Sequence, residues 1–357
     1  MPYPDQSKPV RQLLVTADDY GVHDTIDNGI LECLENLDCI DIIVTHASSE
    51  ARIKALIQRD DVKARLADGT LKLGLHLNLN VGKPMYRDTE TSEGTKYLSA
   101  ISKIHGRYSK EGSNFKHKSA AGILLNITRI SSHHNALKKE IKAQYDAFRS
   151  YAGSKPTHVS SHSGVFSGHP KMYRILKEAC KELDNLAIRC PSIINYDADL
   201  TGYEDIKKWV KFEQYLLTRK QLRQMLASPT PGSNRIRSWM LRNQRKAFDM
   251  DRSNNEVRST DFFVTQLYLQ GEPSYFNKII KFIEAKGPED NKDYSYEVVA
   301  HPMSFERKSE YADMPDGIQI NDVFFNKRRK EGRTLRSEKH SLWKHKLDHA
   351  GITKFEL

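Results

Sequence analysis

Short apolar runs alternate along the chain with longer segments whose apolar residues recur at helical spacing. Residues 11–17 (RQLLVTA) form an apolar run bounded by polar residues, which is typical of a buried strand. In residues 24–36 the apolar positions fall three and four apart, which predicts an amphipathic helix with Asp24 as its N-cap. Residues 40–47 are rich in β-branched side chains and predict a second strand.

The same alternation continues to the end of the chain. Further strands are predicted at residues 71–79, 157–162, 186–190 and 294–300, and further amphipathic helices at 136–151 and 171–183. Strands that are separated by helices pair in parallel and build βαβ units. Six or seven such units in one chain predict an α/β fold with a TIM-like (βα) barrel rather than two domains.

Two stretches fit this pattern poorly. Residues 83–125 are polar and rich in Gly, Ser and Lys, and predict a long loop or lid. Residues 200–258 look helical but are interrupted by the sequence SPTPG at 228–232. We interpret residues 200–258 as a basic helical insertion within a single barrel that spans residues 1–357, and not as an independent domain.

Composition narrows the class of protein. The chain of 357 residues is 38% hydrophobic and 29% charged, which argues against disorder and against a fibrous repeat. It has no apolar run of about 18 residues, so no membrane span is expected. Its first residues lack the features of a signal peptide. Because Cys33, Cys39, Cys180 and Cys190 show no CxxC spacing, we expect neither a zinc cluster nor a disulfide framework, and we predict a cytoplasmic location.

The net charge of +10 is concentrated in two segments. Residues 206–257 hold 12 Lys and Arg against 4 Asp and Glu, and residues 326–347 hold 9 against 2. Such patches can bind nucleic acid or an anionic substrate, but a solvated surface is the commoner explanation. The aromatic residues of the first segment fall mostly at helical spacing, which favours packing over base stacking and argues against a nucleic-acid partner. They are Trp209, Phe212, Tyr215, Trp239 and Phe248.

Acidic and histidine side chains stand where the predicted strands end, and functional groups of parallel α/β folds gather there. They are Asp18 and Asp19 in the first strand, and His76, His162 and His301 in three others. An Asp pair can merely cap a helix, and a lone buried His is often only hydrogen-bonded. Their joint placement, however, favours a divalent metal site with one position open for water. Arg189 ends another strand and is assigned to substrate binding.

The adjacent carboxylates can divide the work of a metal-dependent hydrolase. One would ligate the metal, and the other would take a proton from the attacking water. Neighbouring side chains on a regular strand point to opposite faces, so the strand must end or twist at this point. Gly21, two residues further on, permits such a twist.

Residues 16–35 (TADDYGVHDTIDNGILECLE) resemble the opening of the YdjC-like carbohydrate deacetylase family (ChbG/HpnK type), whose signature is ADDFG. Four more blocks resemble the family in the same order. They are GLHLNL at 74–79, EIKAQ at 140–144, THVSSH at 157–162 followed by HP at 169–170, and EVVAHP at 297–302. Residues 333–355 are similar to its closing helix and Gly-Ile strand. The resemblance covers nearly the whole chain except about residues 195–258.

The resemblance implies a distorted (βα) barrel and metal-dependent removal of an N-acetyl group from an amino sugar or a short N-acetylated oligosaccharide. Carried over by motif, Asp19, His76 and His162 hold one divalent ion, Asp18 is the general base and His301 the general acid. One carboxylate and two imidazoles suit zinc, but magnesium, manganese and cobalt stay open. The possibility of a homo-oligomer stays open as well.

The sequence departs from the family pattern at Ser160 and Ser163, where the family has Asp and Gln. A Ser hydroxyl carries no charge, so we expect the pKa of His301 to be lower than it would be beside a carboxylate. On this hypothesis, Ser160→Asp would raise activity near neutral pH. Two alternatives remain. One is a metal-dependent hydrolase of another amide or ester, and the other is a decayed barrel that serves as a basic binding protein.

Overall fold

A curled parallel sheet with helices around it forms the frame of the molecule. The computed structural model describes residues 11–79, 81–105, 131, 133–162, 166, 170–189, 248, 250–265, 277, 279–280, 283, 293–304, 322–337 and 340–354. Within these ranges the sheet has eight strands, and every strand pairing is parallel. The α/β class that the alternating pattern predicts is therefore confirmed.

The strands lie in the order β5-β4-β3-β2-β1-β7-β6, and β8 pairs with β1. The strands are β1 (Arg11–Tyr20), β2 (Cys39–Ile42), β3 (Lys72–Leu77), β4 (His158–Ser161), β5 (Ala187–Ile188), β6 (Phe262–Thr265), β7 (Tyr294–Ala300) and β8 (Ile352–Lys354). The helices are α1 (Asp24–Glu32), α2 (Ser49–Gln58), α3 (Asp60–Ala67), α4 (Ser92–His105), α5 (His134–Ala152), α6 (Pro170–Glu182), α7 (Asp322–Ser337) and α8 (His340–His349). A short 3₁₀ helix, Leu34–Asn36, follows α1.

The curl brings the two ends of the sheet towards each other. The amide of Ile188 in β5 donates a hydrogen bond of 2.9 Å to the carbonyl of Arg258, four residues before β6 begins. Side chains from β1, β2, β5 and β7 also meet across the interior, as described below for the site. This arrangement confirms the predicted barrel-like architecture.

The two faces of the sheet have different compositions because side chains alternate along a strand. Leu13, Val15 and Ala17 of β1 belong to the apolar core that the sheet shares with the helices. Thr16 and Asp18, at the alternate positions, face the barrel interior, where they bond to Glu297 and Arg189. We call these two sides the outer face and the inner face.

The helices cover the outer face with the residues that their spacing predicts. The buried residues at the predicted positions include Ile26 and Ile30 in α1, Leu137, Ile141, Tyr145 and Phe148 in α5, and Met172, Leu176 and Ala179 in α6. Leu183, also expected to face inward, follows the end of α6 and is only half-buried. Full burial of one such aliphatic side chain contributes roughly 1.5–3 kcal/mol. The N-cap of α1 was predicted wrongly, because the His23 ring accepts the hydrogen bond from the Thr25 amide while Asp24 pairs with Arg52.

Several predicted boundaries change. Helix α4 lies inside residues 83–125, so the prediction of a continuous loop is wrong there, and residues 106–125 lie outside the described residues. Strand β2 ends at Ile42, well before residue 47. Strand β6 was not predicted.

Most of residues 200–258 lie outside the described residues, so the insertion stays a prediction. Phe248 is described; it is buried and packs edge-on against Tyr173, with ring centroids 6.0 Å apart. Across the described ranges, no helix combines the length and the apolar character needed to cross a membrane.

Candidate metal centre and its charge network

The end of β1 turns both of its aspartates towards the inner face. The pairing of β1 with β2 shifts register between Ala17 and Tyr20, and Asp19 adopts a φ of +74°. This left-handed conformation costs a non-glycine residue on the order of 1–3 kcal/mol, so the surrounding contacts must hold it in place. The predicted twist therefore exists but is centred on Asp19, while Gly21 (φ +97°) continues the turn.

The three predicted metal ligands come together at the ends of β1, β3 and β4. One oxygen or nitrogen from each of Asp19, His76 and His162 lies within 4.8 Å of the others. Asp19 Oδ1 is 2.8 Å from His162 Nδ1 and 3.4 Å from His76 Nε2. The two imidazole rings meet edge to face, with centroids 5.3 Å apart. All three side chains are buried.

Electrostatics favours a cation at this position. Burial alone would raise the pKa of Asp19, but His162, His76 and Arg328 hold it well below its ordinary value. Burial alone would lower the pKa of His76, but Asp18, Asp19 and Asp41 raise it. A positive charge beside His76, whether a proton or a metal ion, is therefore stabilised.

The donor set fits a divalent ion. His162 Nε2 is buried, and it has no hydrogen-bond partner among the described residues. The ion-paired side chains around the site are four carboxylates and two guanidinium groups, so negative charge is in excess when the imidazoles are neutral. The carboxylates are Asp18, Asp19, Asp41 and Glu297, and the guanidinium groups are Arg189 and Arg328. A divalent ion would balance this charge.

Arg189, directly after β5, connects three of these carboxylates. Nη1 and Nη2 donate to the two oxygens of Asp18 at 2.8 and 2.9 Å. Nη2 also donates to Asp41 Oδ2, and Nε donates to Glu297 Oε1, both at 2.8 Å. The guanidinium lies over the ring of Phe263, 5.3 Å from its centroid. The structure thus places Arg189 inside the charge network, and its role in substrate binding stays a prediction.

Arg328 is a second buried arginine, and its place in a basic segment gave no sign of a role at the site. Both of its terminal nitrogens lie 3.1 Å from Asp19 Oδ2, which leaves Oδ1 towards the two histidines. The expectation of a solvated surface for residues 326–347 is wrong for this residue, which is 9% exposed. Within residues 328–337 of α7, where side-chain burial is described, the buried positions are spaced three and four apart, as on one helix face. They are Arg328, Glu331, Gly332 and Leu335.

His301 follows β7 and lies beside the predicted base. Its Nε2 is 3.8 Å from Asp18 Oδ2, and its amide donates to Glu331 Oε2 at 2.8 Å. The side chain is 22% exposed, more than the other members of the cluster. Burial of most of the ring and the nearby charge of Arg328 lower its pKa to about 4, so the imidazole is neutral at pH 7.

Ser160 contacts a different histidine from the one predicted. Its hydroxyl accepts a hydrogen bond from His76 Nδ1 at 2.6 Å and donates to Asp41 Oδ2. Among the described residues these are its side-chain partners, so the expected coupling of Ser160 to His301 was wrong. Burial alone would raise the pKa of Asp41, but His158 and Arg189 hold it well below its ordinary value, so Asp41 acts as an acceptor.

Two residues of α5 hold the chain that follows His76. Gln144 Oε1 accepts from the amide of Asn78 at 3.1 Å, and its Nε2 donates to the Asn78 carbonyl at 2.7 Å. Glu140 accepts from the amides of Met85 and Tyr86 at 3.0 and 2.8 Å. The EIKAQ block therefore holds the loop that follows β3, the strand that carries His76.

Comparison with known proteins finds sequence relatives that are named as deacetylases. A chitooligosaccharide deacetylase from Escherichia fergusonii is 29% identical over 196 residues, which is 54% of this chain and 64% of that protein. A carbohydrate deacetylase from Xenopus laevis is 26% identical over 155 residues, which is 43% of this chain and 42% of that protein. The matched stretch thus spans between 42% and 64% of the length of these relatives.

The fold is similar to that of a crystal structure from Enterococcus faecalis, a protein named for cellobiose-phosphate cleavage. The TM-score is 0.56 at 16% identity, and the alignment covers 98% of this chain and 97% of the other. At this identity the likeness shows the fold alone. The model of the YdjC-like protein family matches residues 12–344, and the chain therefore belongs to the YdjC-like family.

Proposed function

We propose that the protein is a metal-dependent hydrolase that removes the N-acetyl group from an amino sugar or a short N-acetylated oligosaccharide. The observation that carries the proposal is the convergence of Asp19, His76 and His162 at the strand ends, with Asp18 directly beside them. The named activities of the deacetylase relatives support the choice of substrate.

The metal would be held by one carboxylate oxygen of Asp19 and one ring nitrogen each of His76 and His162. When bound, such an ion lowers the pKa of a water molecule and polarises the acetamide carbonyl. Arg328 would keep the second oxygen of Asp19 occupied, so that Asp19 offers a single oxygen to the ion.

Asp18 would act as the general base. Its two oxygens each accept one hydrogen bond from Arg189, which fixes the plane of the carboxylate. Further lone pairs on these oxygens stay available, and Oδ2 lies 3.6 Å from His76 Nε2. Asp18 would therefore take a proton from an attacking water that lies beside the ligands.

His301 would protonate the departing amine. Because its ring is neutral at pH 7, it must first receive a proton, and Asp18 Oδ2 lies 3.8 Å from His301 Nε2. The proton that Asp18 removes from water would pass to His301 once the two side chains approach to hydrogen-bond distance, and then to the amine nitrogen. The side chain of His301 is 22% exposed, so part of the ring is accessible from outside the cluster.

An acetate-release assay tests the proposal. The protein is first freed of metal with a chelator and then supplied separately with zinc, magnesium, manganese or cobalt. Each form is offered N-acetylated monosaccharides, N-acetylated disaccharides and O-acetylated sugars as an ester control. We expect acetate and free amine in equal amounts from the N-acetylated sugars only. Release from the ester alone, or from none of them with any metal, would remove the proposal.

A further inference from the structure

A chain of two hydrogen bonds connects the metal ligand His76 to a carboxylate on another strand. Asp41 pairs with Arg189 and is an acceptor, so the Ser160 hydroxyl must give its hydrogen to Asp41 Oδ2. The Ser160 oxygen can then only accept from His76 Nδ1–H, at 2.6 Å. This order leaves His76 Nε2 facing Asp19 Oδ1, at 3.4 Å. The tautomer that a metal ligand needs is thereby fixed.

The sheet explains how a β2 residue reaches β4, although β3 lies between them. Asp41 is paired in register with Gly74, and His76 is paired with Ser160. A Cβ atom on Gly74 would lie 2.1 Å from Asp41 Oδ1 and 2.5 Å from His158 Cε1. The missing side chain at Gly74 therefore opens the path along which Asp41 crosses β3.

The same carboxylate also reaches the proposed base. Asp41 Oδ2 accepts from Arg189 Nη2 at 2.8 Å, and Arg189 holds both oxygens of Asp18. A single oxygen atom thus supports the metal ligand His76 on one side and the base Asp18 on the other. Asp41 is fully buried, so water does not compete for these bonds.

A second metal ion on Cys39, Asp41 and His158 is a competing explanation for this buried cluster. Two observations argue against it. Burial and the nearby Asp41 carboxylate raise the pKa of the Cys39 thiol, which disfavours the thiolate that a metal ion would need, and the Arg189 guanidinium lies 2.8 Å from Asp41. A cation would have to displace or tolerate that positive charge.

We propose that Asp41 is a positioning residue that orients His76 through Ser160 and Asp18 through Arg189. Its carboxylate reaches the Ser160 hydroxyl from two strands away. The inference rests on the proposed function because His76 is taken as a metal ligand. It adds Asp41 to that function, together with the hydrogen bonds by which Asp41 keeps the metal ligand His76 and the base Asp18 in a fixed arrangement.

Ser160→Ala is the first test, because it leaves the pairs of Asp41 with Arg189 and His158 intact. Metal affinity is measured by competition with a chromogenic chelator, and ligand geometry by the visible spectrum of the cobalt form. Loss of a hydrogen-bond partner behind a metal ligand typically weakens binding about 10–100-fold. We expect a loss in that range for Ser160→Ala and for Asp41→Asn. The double variant should lose no more metal affinity than the single variant that binds metal less tightly, because both substitutions break the same chain of hydrogen bonds.

An exchange of the carboxylate between strands is the second test. Ser160→Asp alone places a second carboxylate against Asp41, so we expect weaker metal binding, opposite to the gain that coupling to His301 would give. Asp41→Asn combined with Ser160→Asp should bind metal more tightly than either single variant. Asp38→Asn is the matched control, since Asp38 is a buried aspartate near β2 that accepts from the Val15 amide. Its metal affinity should equal that of the unmodified protein.

The outcomes separate this inference from the proposed function. Unchanged metal affinity and an unchanged cobalt spectrum in folded Ser160→Ala would overturn the role of Asp41, even if acetate is released. Additive losses in the double variant would overturn it as well. Metal binding that responds as expected, in a protein that releases no acetate, would support the role of Asp41 and remove the proposed function. If the unmodified protein binds no divalent ion, both are overturned.

Discussion

The inner and outer faces of the same strands are equally buried but are held by different forces. On β3, Leu75 faces the helices and belongs to the apolar core, while its neighbours Gly74 and His76 face the barrel interior. On β7, Val298 and Glu297 divide in the same way. All of these positions are almost inaccessible to water, so burial alone does not distinguish them.

The two faces differ in how readily one contact can be substituted by another. Apolar burial is non-directional, and volume-conserving changes in a core usually cost under about 1.5 kcal/mol. The inner face depends on particular pairs of atoms, such as Arg189 with both oxygens of Asp18. When a buried charge on the inner face loses its partner, no water molecule can take the place of that partner. The inner face should therefore be sensitive to charge and pH, and the outer face to volume.

Arg189→Met should be the most damaging of the changes considered. It leaves Asp18, Asp41 and Glu297 buried without their shared cation, and breaking a buried ion pair typically costs about 3–5 kcal/mol. His158 and Arg189 together hold the pKa of Asp41 below its ordinary value, so that pKa should rise in the variant, and the loss should be full at neutral pH and shrink as the pH falls. Urea unfolding at pH 7 and pH 5 measures both effects.

Leu75→Ala on the outer face is the matched control. Deletion of a buried leucine side chain costs about 2–5 kcal/mol through lost burial and the cavity it leaves. No ionisable group is involved, so the loss should be equal at the two pH values. A loss in Arg189→Met that does not depend on pH would contradict the distinction between the faces.

Metal binding should stabilise the protein through the inner face. At an ion concentration of 100 times the dissociation constant, the free energy of unfolding should rise by about 2.7 kcal/mol. The pKa of His76 is raised, so binding must displace a proton, and affinity should increase with pH up to that pKa. Thermal unfolding with and without zinc at pH 6 and pH 8 tests this. Equal stabilisation of His162→Ala would show that the ion binds elsewhere.

The outer face and the order of elements could be predicted because they follow from apolar periodicity. The spacing in α5 and α6 predicts their buried residues correctly, and the run at 294–300 coincides with β7. Rules that use only neighbouring residues were less reliable at the ends of helices and strands. Asp24 was the predicted N-cap of α1, but His23 caps the helix, because Asp24 pairs with Arg52, which is distant in sequence.

The inner face was only partly predictable. Groups at strand ends, such as Asp19 and His162, stand out because function gathers there. Asp41 and Glu297 lie within apolar strands, where a single polar residue gives no sign of its partner. Arg328 lies in a basic segment, and its burial depends on packing of α7 against the barrel. These three residues could be recognised only from the contacts in the folded structure, because hydrophobic periodicity carries no information about which side chains meet.

Arg328→Gln tests the electrostatic coupling within the inner face. The Arg328 charge lowers the pKa of His301, so its removal should raise that pKa from about 4 towards the ordinary value near 6.5. Burial continues to lower it, so the rise should be incomplete. One pKa unit corresponds to about 1.4 kcal/mol. NMR titration of His301 measures the shift, with Arg333→Gln as the control, since Arg333 is exposed on the same helix. An unchanged pKa would contradict the coupling.

Gly153→Ala should have the smallest effect, and it separates the two faces most cleanly. Gly153 ends α5 with a φ of +67°, and its amide donates to the Arg149 carbonyl at 2.9 Å. A Cβ atom there would meet no atom within 4 Å, so the cost is that of a left-handed alanine, about 1 kcal/mol. We expect a slightly lower unfolding midpoint in urea, with metal affinity and acetate release unchanged. Because α5 also carries Glu140 and Gln144, which hold the loop after β3, a parallel fall in metal affinity would mean that strain in the outer layer reaches the inner face through this helix.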